Sequence, residues 1–175
     1  MYQRVLVPID GSPPSRQALA EAIGLAGLTS GRLRLMHVID ELSAAHARSA
    51  YAGYGSDWLD EVRRNGAAVL EEGRAMAEAS HVPSETLLHD SFSSDLAEVV
   101  MDEATRWQAE LIVVGTHGRR GIGRLYMGSG AESMMRVASV PVLLVRTQAS
   151  ATLTPMAATP PGSPSGVSTG QVSVG

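Results

Sequence analysis

The chain has 175 residues, a formal net charge of −4 at pH 7 and no cysteine. This length fits one domain with a substantial core, and the lack of cysteine excludes disulfides, thiolate metal sites and cysteine catalysis. The negative charge argues against nonspecific nucleic-acid binding, and no apolar run approaches the roughly 18 residues that cross a membrane. A strand begins within the first residues without a signal-peptide core, which predicts a cytoplasmic location.

Strands and helices are predicted to alternate along the chain. Short apolar or alternating runs indicate strands, and apolar positions at helical spacing indicate helices. The predicted strands are Val5–Ile9, Leu33–Ile39, Ser84–His89, Leu111–Val114 and Val140–Val145. The predicted helices are Ser15–Leu28, Trp58–Ser80, one that is capped by Ser93 to Asp95 and runs to Trp107, and Ser129–Ala138. This alternation predicts an α/β fold with a parallel sheet and helices on both faces.

Prolines and glycines refine this picture. Pro8 marks the point where the chain leaves the first strand, and Pro141 suits the start of an edge strand. Gly66 and Gly73 are expected to weaken the second helix locally. The charged residues of that helix are expected to form an ordinary solvated face.

Four polar residues within or directly after the predicted strands have a functional and a structural interpretation. Asp10 follows the first strand at the edge where open α/β sheets bind ligands, but it equally fits an Asx-turn or a helix cap. His37 within the second strand is interpreted as a packed core histidine. His89 and Asp90 are interpreted as loop residues and not as metal ligands, because no partner stands at ligand spacing.

Two segments show no periodic apolar face. Residues 41–57 form a long predicted loop, and loops of this length are usually functional or mobile. Residues 147–175 carry no charge and are rich in Ala, Ser, Thr, Pro and Gly, which predicts a disordered tail. The folded domain is therefore predicted to span residues 1–146.

The most informative stretch lies between the fourth and fifth strands. Gly115, Gly118 and Gly128 follow the fourth strand, and Ser129 with Glu132 has the spacing of a capping box at a helix start. Glycines let several backbone N–H groups converge on one anion, and the first N–H groups of a helix favour phosphate. The loop also holds arginines that could bind phosphate oxygens: Arg119, Arg120 and Arg124. The alternative is that the glycines only form turns.

Two better-known phosphate loops do not fit this stretch. A P-loop requires Gly-Lys-Ser/Thr, and the loop contains no lysine. The glycines between residues 118 and 123 do not form the dinucleotide fingerprint between a strand and a helix, and no acidic residue follows at the required distance. Neither a P-loop NTPase nor a nicotinamide dehydrogenase is predicted.

The chain resembles the universal stress protein family over nearly all of residues 1–146. The resemblance lies in the segment from Val5 to Ser12, in His37-Val38-Ile39, and in the spacing G-x2-G-x9-G-[S/T] met by the three glycines and Ser129. That spacing is the ATP-binding signature of the family's nucleotide-binding subgroup. The resemblance implies a sheet order of 3-2-1-4-5, bound ATP with Mg²⁺ held through the phosphates, and a homodimer paired through the fifth strand.

The resemblance also implies which residues bind the nucleotide. Asp10 would contact the ribose or the adenine, with Pro8 and Val38 beside the base. Val114 and Gly115 would line the ribose side. The residues implied at the phosphates are Gly118, Arg119, Gly128, Ser129 and Gly130, and the same site would include their neighbours Ile9, His117, Arg120 and Ala131.

Two classes of function remain open at this level. One is a nucleotide-binding regulator in the stress response, without catalytic residues or protein metal ligands of its own. The other is a slow ATP hydrolase or phosphotransferase, which needs a group that positions water, and no second acid or glutamine stands near the loop. A nucleotide-free dimeric scaffold is the third alternative.

Overall fold

The computed structural model describes residues 1–39, 58–90, 95–116 and 129–146. Strands and helices alternate along these ranges, as the sequence predicts. The elements are β1 (Arg4–Pro8), α1 (Pro13–Thr29), β2 (Arg32–Ile39), α2 (Trp58–Ala79), β3 (Ser84–Asp90), α3 (Leu96–Trp107), β4 (Leu111–Gly115), α4 (Ser129–Val137) and β5 (Val142–Val145).

The five strands form one parallel sheet in the order β3-β2-β1-β4-β5, which confirms the implied topology. β1 lies at the centre, and Pro8 is its last residue, where a missing backbone N–H is tolerated. Pro141 directly precedes β5, which is an edge strand as predicted. The carboxyl ends of β1 and β4 are therefore neighbours.

The sheet separates two layers of the core, because successive side chains of a strand point to opposite faces. On one face Val5 and Val7 of β1 pack with α1 and α2. On the other face Leu6 of β1 and Met36 of β2 pack with α3 and α4. Helices thus cover both faces of the sheet, as the sequence predicts, and the start of α4 lies on the α3/α4 face.

The glycines of α2 have a role that helix propensity does not predict. Gly66 and Gly73 are both buried against the sheet. A β-carbon at Gly66 would lie 2.8 Å from Cδ2 of His37, and one at Gly73 would lie 2.9 Å from Cδ1 of Ile9. These distances are well below carbon–carbon contact, so glycine allows α2 to approach β2 and Ile9, the residue after β1, closely.

The predicted third strand ends at His89, and the structure extends β3 by one residue to Asp90, so the interpretation of this pair as loop residues is wrong. Asp90 accepts a 2.9 Å hydrogen bond from Nε of Arg63 in α2, and this hydrogen bond raises the pKa of Arg63. Arg16 of α1 binds Glu72 of α2 in the same manner, at 2.8 Å. The charged face of α2 is therefore partly used to hold neighbouring elements.

Two predicted segments, residues 41–57 and 147–175, lie outside the described residues. The boundary between domain and tail thus stays a prediction. Among the described helices, none combines the length and the apolar character that crossing a membrane requires.

Candidate functional site

The turn between β1 and α1 carries Asp10 out of the sheet. Oδ1 of Asp10 accepts a 2.9 Å hydrogen bond from the backbone N–H of Ser12, which is the Asx-turn that the sequence offered as one alternative. Gly11 has a φ of 77°, a left-handed conformation that glycine adopts without strain. A carboxylate has about four acceptor positions, so the turn contact does not exclude a ligand contact by Asp10.

The same turn starts α1. Ser12 is the N-cap, and its hydroxyl accepts a hydrogen bond from the backbone N–H of Ser15 at 3.4 Å. Pro13 and Pro14 occupy the first helical positions, where a missing N–H removes no helical hydrogen bond. The sequence Ser-Pro-Pro-Ser therefore fixes where α1 begins, directly beside Asp10.

Three of the predicted contact residues form an apolar row across neighbouring strands. Val38 of β2 and Val114 of β4 belong to the α3/α4 core layer. Pro8 of β1 follows Leu6 of the same layer by two residues, so strand alternation places it on the same face. The register pairs Pro8 with Met36, two residues before Val38, and Leu6 with Ile112, two residues before Val114, so the three side chains lie near one another at the carboxyl edge of this face. His89 of β3 is paired with Val38 at the same edge.

Ile9 does not join this row. Its side chain is buried in the α1/α2 core layer on the opposite face. Only the backbone of Ile9 is available at the edge of the sheet, where its N–H donates to the carbonyl of Met36 at 2.8 Å.

At the end of β4, the chain passes very close to α1. A β-carbon on Gly115 would lie 2.7 Å from the carbonyl oxygen of Pro14. Thr116 continues the pairing with β5, because its N–H donates to the carbonyl of Val145 at 2.9 Å. The close contact at Gly115 brings the end of β4 against the start of α1, so the β4 end and the Asp10 turn are adjacent.

The start of α4 lies on the same face as the apolar row. The helix begins at Ser129, as predicted, and Ala131 in its first turn is buried in the α3/α4 layer together with Val114. Gly130 packs near Leu96, with 3.0 Å between a β-carbon placed on it and Cδ2 of that leucine. Glu132, predicted as the second half of a capping box, is hydrogen-bonded to Arg136 at 2.7 Å.

The other residues that the resemblance implies at the nucleotide site lie outside the described residues: His117, Gly118, Arg119, Arg120 and Gly128. The two ends of that segment are nevertheless fixed, by Gly115 at the carboxyl end of β4 and by Ser129 at the start of α4.

Two buried polar residues near the edge were not selected from the sequence as site residues. Ser15 is 5% exposed and Thr116 is 6% exposed. The available signal was weak: Ser15 stands at the apolar spacing of α1, three residues before Ala18, and Thr116 directly follows an apolar strand. His37, predicted as a core histidine, is indeed buried, and Nδ1 lies 2.7 Å from the carbonyl oxygen of Ile9.

The described residues include no group of three or more His, Asp or Glu side chains that could hold a metal ion. They do include a shallow cleft between α1 and α2, whose lining contains the ion pair of Arg16 and Glu72. Its lining includes Ile9 and Leu19, which belong to the α1/α2 core layer. The cleft thus lies on the face opposite the apolar row.

Similarity to known structures supports this architecture. A universal stress protein family structure from Burkholderia pseudomallei shares 28% identity at a TM-score of 0.64, covering 82% of this chain and 96% of that chain. Two more distant neighbours carry nucleotides. One is a universal stress protein in complex with cAMP (24% identity, TM-score 0.58, 83% and 97% coverage), and one is the Archaeoglobus fulgidus protein in complex with dAMP (18%, 0.58, 82% and 98%). They show a shared Rossmann-like α/β fold.

Sequence comparison agrees with the fold. Universal stress protein A homolog 1 of Coxiella burnetii is 33% identical over 147 residues, covering 82% of this chain and 96% of the relative. YxiE of Bacillus subtilis, also a universal stress protein, is 29% identical over 153 residues, covering 83% of this chain and all of the relative. The family model "Universal stress protein family" matches residues 1–146. This chain therefore belongs to the universal stress protein family.

Proposed function

We propose that this protein binds an adenine nucleotide, with ATP as the physiological ligand, and acts in the cytoplasm as a nucleotide-dependent regulator in the stress response. The observation that carries the proposal is the convergence of three features at one sheet edge. These are the apolar row of Pro8, Val38 and Val114, the carboxylate turn of Asp10, and the start of α4. Ligands of open α/β sheets bind at this edge.

The apolar row is the proposed binding surface for the adenine base and the ribose. Pro8 and Val38 are half-buried and offer an apolar surface that suits an adenine ring, and Val114, which is buried, continues that surface on β4. Asp10 stands beside the row and can accept a hydrogen bond from a ribose hydroxyl or from the adenine amino group. Solved proteins of the same fold in complex with cAMP and dAMP support an adenine nucleotide as the ligand class.

The start of α4 is the proposed binding position for the phosphates. Its first N–H groups have no partner within the helix and carry partial positive charge, and Gly130 and Ala131 leave little side-chain bulk there. The signature residues between β4 and α4, with Gly118, Arg119, Arg120 and Gly128, would complete the phosphate contacts. Mg²⁺ is proposed to bind through the phosphate oxygens, because this ion prefers hard oxygen ligands such as those of substrate phosphates.

The decisive measurement is a titration of the purified full-length chain with ATP, ADP, AMP and cAMP by calorimetry. We expect ATP to bind with Mg²⁺ present, and Asp10→Ala to weaken it at least tenfold, since a hydrogen bond to a charged group contributes about 1.5–3 kcal/mol. Phosphate release over hours separates a regulator from a hydrolase. No binding of any adenine nucleotide would exclude the proposal, and steady turnover lost in Asp10→Ala would favour the enzyme.

We also propose a homodimer that pairs through β5. This edge strand presents Leu143, which is 41% exposed, and α4, on the other face of the sheet, exposes Met135 and Val137, which are 44% and 52% exposed. An exposed strand edge with apolar neighbours is a natural pairing surface. In sedimentation, Leu143→Lys should raise the dimer dissociation constant at least tenfold, because a charge would be buried at the interface. Leu28→Lys, at a leucine 88% exposed near the end of α1, is the matched control and should leave it unchanged.

A further inference from the structure

The peptide group that joins Ile9 to Asp10 is held at both of its polar atoms by side chains. The carbonyl oxygen of Ile9 lies 2.7 Å from Nδ1 of His37 in β2. The N–H of Asp10 donates a 3.0 Å hydrogen bond to Oγ of Ser15 in α1. Both side chains are more than nine-tenths buried, with 8% of His37 and 5% of Ser15 exposed.

The chemistry of the His37 contact is fixed by its partner. A carbonyl oxygen can only accept, so Nδ1 carries the hydrogen and donates it to Ile9. The ring is enclosed on its other side by α2, since a β-carbon on Gly66 would lie 2.8 Å from Cδ2 of His37. The imidazole therefore has little room to move away from the Ile9 carbonyl.

His37 and Ser15 together form a clamp on the Ile9–Asp10 peptide, and this clamp lies where the strand pairing of β1 stops. The N–H of Ile9 still donates to the carbonyl of Met36 in β2. The next peptide is bound by the side chains of His37 and Ser15 in the turn that leads to Asp10. Because the peptide group is planar, hydrogen bonds at its carbonyl oxygen and at its N–H restrict ψ of Ile9 and φ of Asp10. These two angles set the direction of the Asp10 side chain.

We propose that His37 and Ser15 are positioning residues for the nucleotide site. They hold the Ile9–Asp10 peptide so that the carboxylate of Asp10 faces the ligand before the ligand arrives. Binding then requires no ordering of this turn, and preorganisation of this kind raises affinity. The inference rests on the proposed function and identifies which buried residues set the affinity of that site.

The first test needs no nucleotide. In the free full-length protein, hydrogen exchange of the Asp10 amide, followed by NMR, reports on the clamp directly. We expect Ser15→Ala and His37→Leu each to accelerate this exchange at least tenfold, while the Ile9 amide stays protected by Met36. Unchanged exchange at Asp10 in both variants would overturn the proposal, whatever the protein binds.

The second test asks whether the clamp acts through Asp10. By calorimetry, His37→Leu should weaken ATP binding about fivefold to tenfold, as expected for a lost hydrogen bond. In an Asp10→Ala background the same change should have no further effect on binding, because the effects of coupled residues do not add. If His37→Leu only loosened the structure in general, its effect would add to that of Asp10→Ala. Additive effects in this cycle would overturn the positioning role.

Two variants guard against a trivial loss of folding. His37→Asn keeps an N–H donor near the position of Nδ1 and should restore most of the affinity that His37→Leu loses. His81→Asn is the matched control, since His81 is exposed in the turn before β3 with a φ of 56°, which asparagine adopts readily. It should bind ATP like the natural chain. If the natural chain binds no nucleotide, the proposed function fails and the affinity role fails with it, while the Asp10 exchange still decides whether the clamp exists.

Discussion

Replacing Gly115 with alanine is expected to lower the free energy of unfolding by about 2 kcal/mol or more. The new methyl carbon would lie 2.7 Å from the carbonyl oxygen and 2.8 Å from the carbonyl carbon of Pro14, which are backbone atoms and not the tips of flexible side chains. Overpacking of this kind costs about 1–3 kcal/mol, and more where the neighbour cannot yield. The entropy that alanine removes from the unfolded chain returns only about 0.4–1 kcal/mol. Urea denaturation followed by circular dichroism measures the difference.

Pro14 has little freedom to yield. Its ring fixes φ, and the first turn of α1 is tied to Ser12 by the cap. Gly130→Ala is the matched control, because its nearest neighbour would be Cδ2 of Leu96 at 3.0 Å, a side-chain tip that can rotate. We expect a change below 1 kcal/mol there, since alanine also favours the helix. Equal midpoints for Gly115→Ala and the natural chain would show that β4 and α1 are not in the close contact described.

The periodicities of the sequence were sufficient to predict the strands and helices and to predict that helices cover both faces of the sheet. Apolar runs such as Leu111–Val114 and the helical spacing of α1 depend only on local geometry, so the ends of most elements agree within a few residues. The strand order is different, because it depends on which apolar faces meet in space. It was implied by the resemblance to a family and is confirmed by the pairing of β1 with β2 and β4.

Close contacts between elements explain what the sequence did not predict. Gly66 looked like a weak point of a helix, but its partner is His37, 29 positions earlier in the chain. Asp90 looked like a loop residue because its partner, Arg63, stands on α2. In each case the missing information was the identity of a spatial neighbour, which no local pattern contains.

In the candidate site, too, local features could be predicted from the sequence, whereas contacts between distant residues could not. The turn at Asp10 that follows β1 and the start of α4 at Ser129 could be predicted from turn and cap chemistry. The opposite orientation of Ile9 follows from strand alternation and could have been predicted as well. The clamp on the Ile9–Asp10 peptide could not, because it requires the side chain of His37 on β2 to reach a carbonyl on β1.

Removing the carboxylate of Glu103 is expected to have the largest effect on stability, about 3 kcal/mol for Glu103→Ala. Glu103 of α3 is only 3% exposed and binds Arg34 of β2 and Arg106, the latter at 2.9 Å. The guanidinium of Arg34 also lies 4.8 Å from the centre of the Trp107 ring. Burial disfavours the charge of Arg34, but hydrogen bonds with Glu85 and Glu103 outweigh it and raise its pKa. Without Glu103, the guanidinium of Arg34, which is largely buried, would have only the half-exposed Glu85 left as its acidic partner among these two.

The loss should come from the unpaired charge and not from a missing contact. Breaking a buried ion pair costs about 3–5 kcal/mol, and we expect the lower end because Arg34 retains Glu85. Arg106→Ala is the first control, since that side chain is 70% exposed and should contribute less than 1 kcal/mol. The second control is the double variant Arg34→Met with Glu103→Leu, which removes both charges and should recover most of the stability in urea denaturation. If the double variant were as unstable as Glu103→Ala, the pair would act through packing, and the electrostatic account of this contact between β2 and α3 would be wrong.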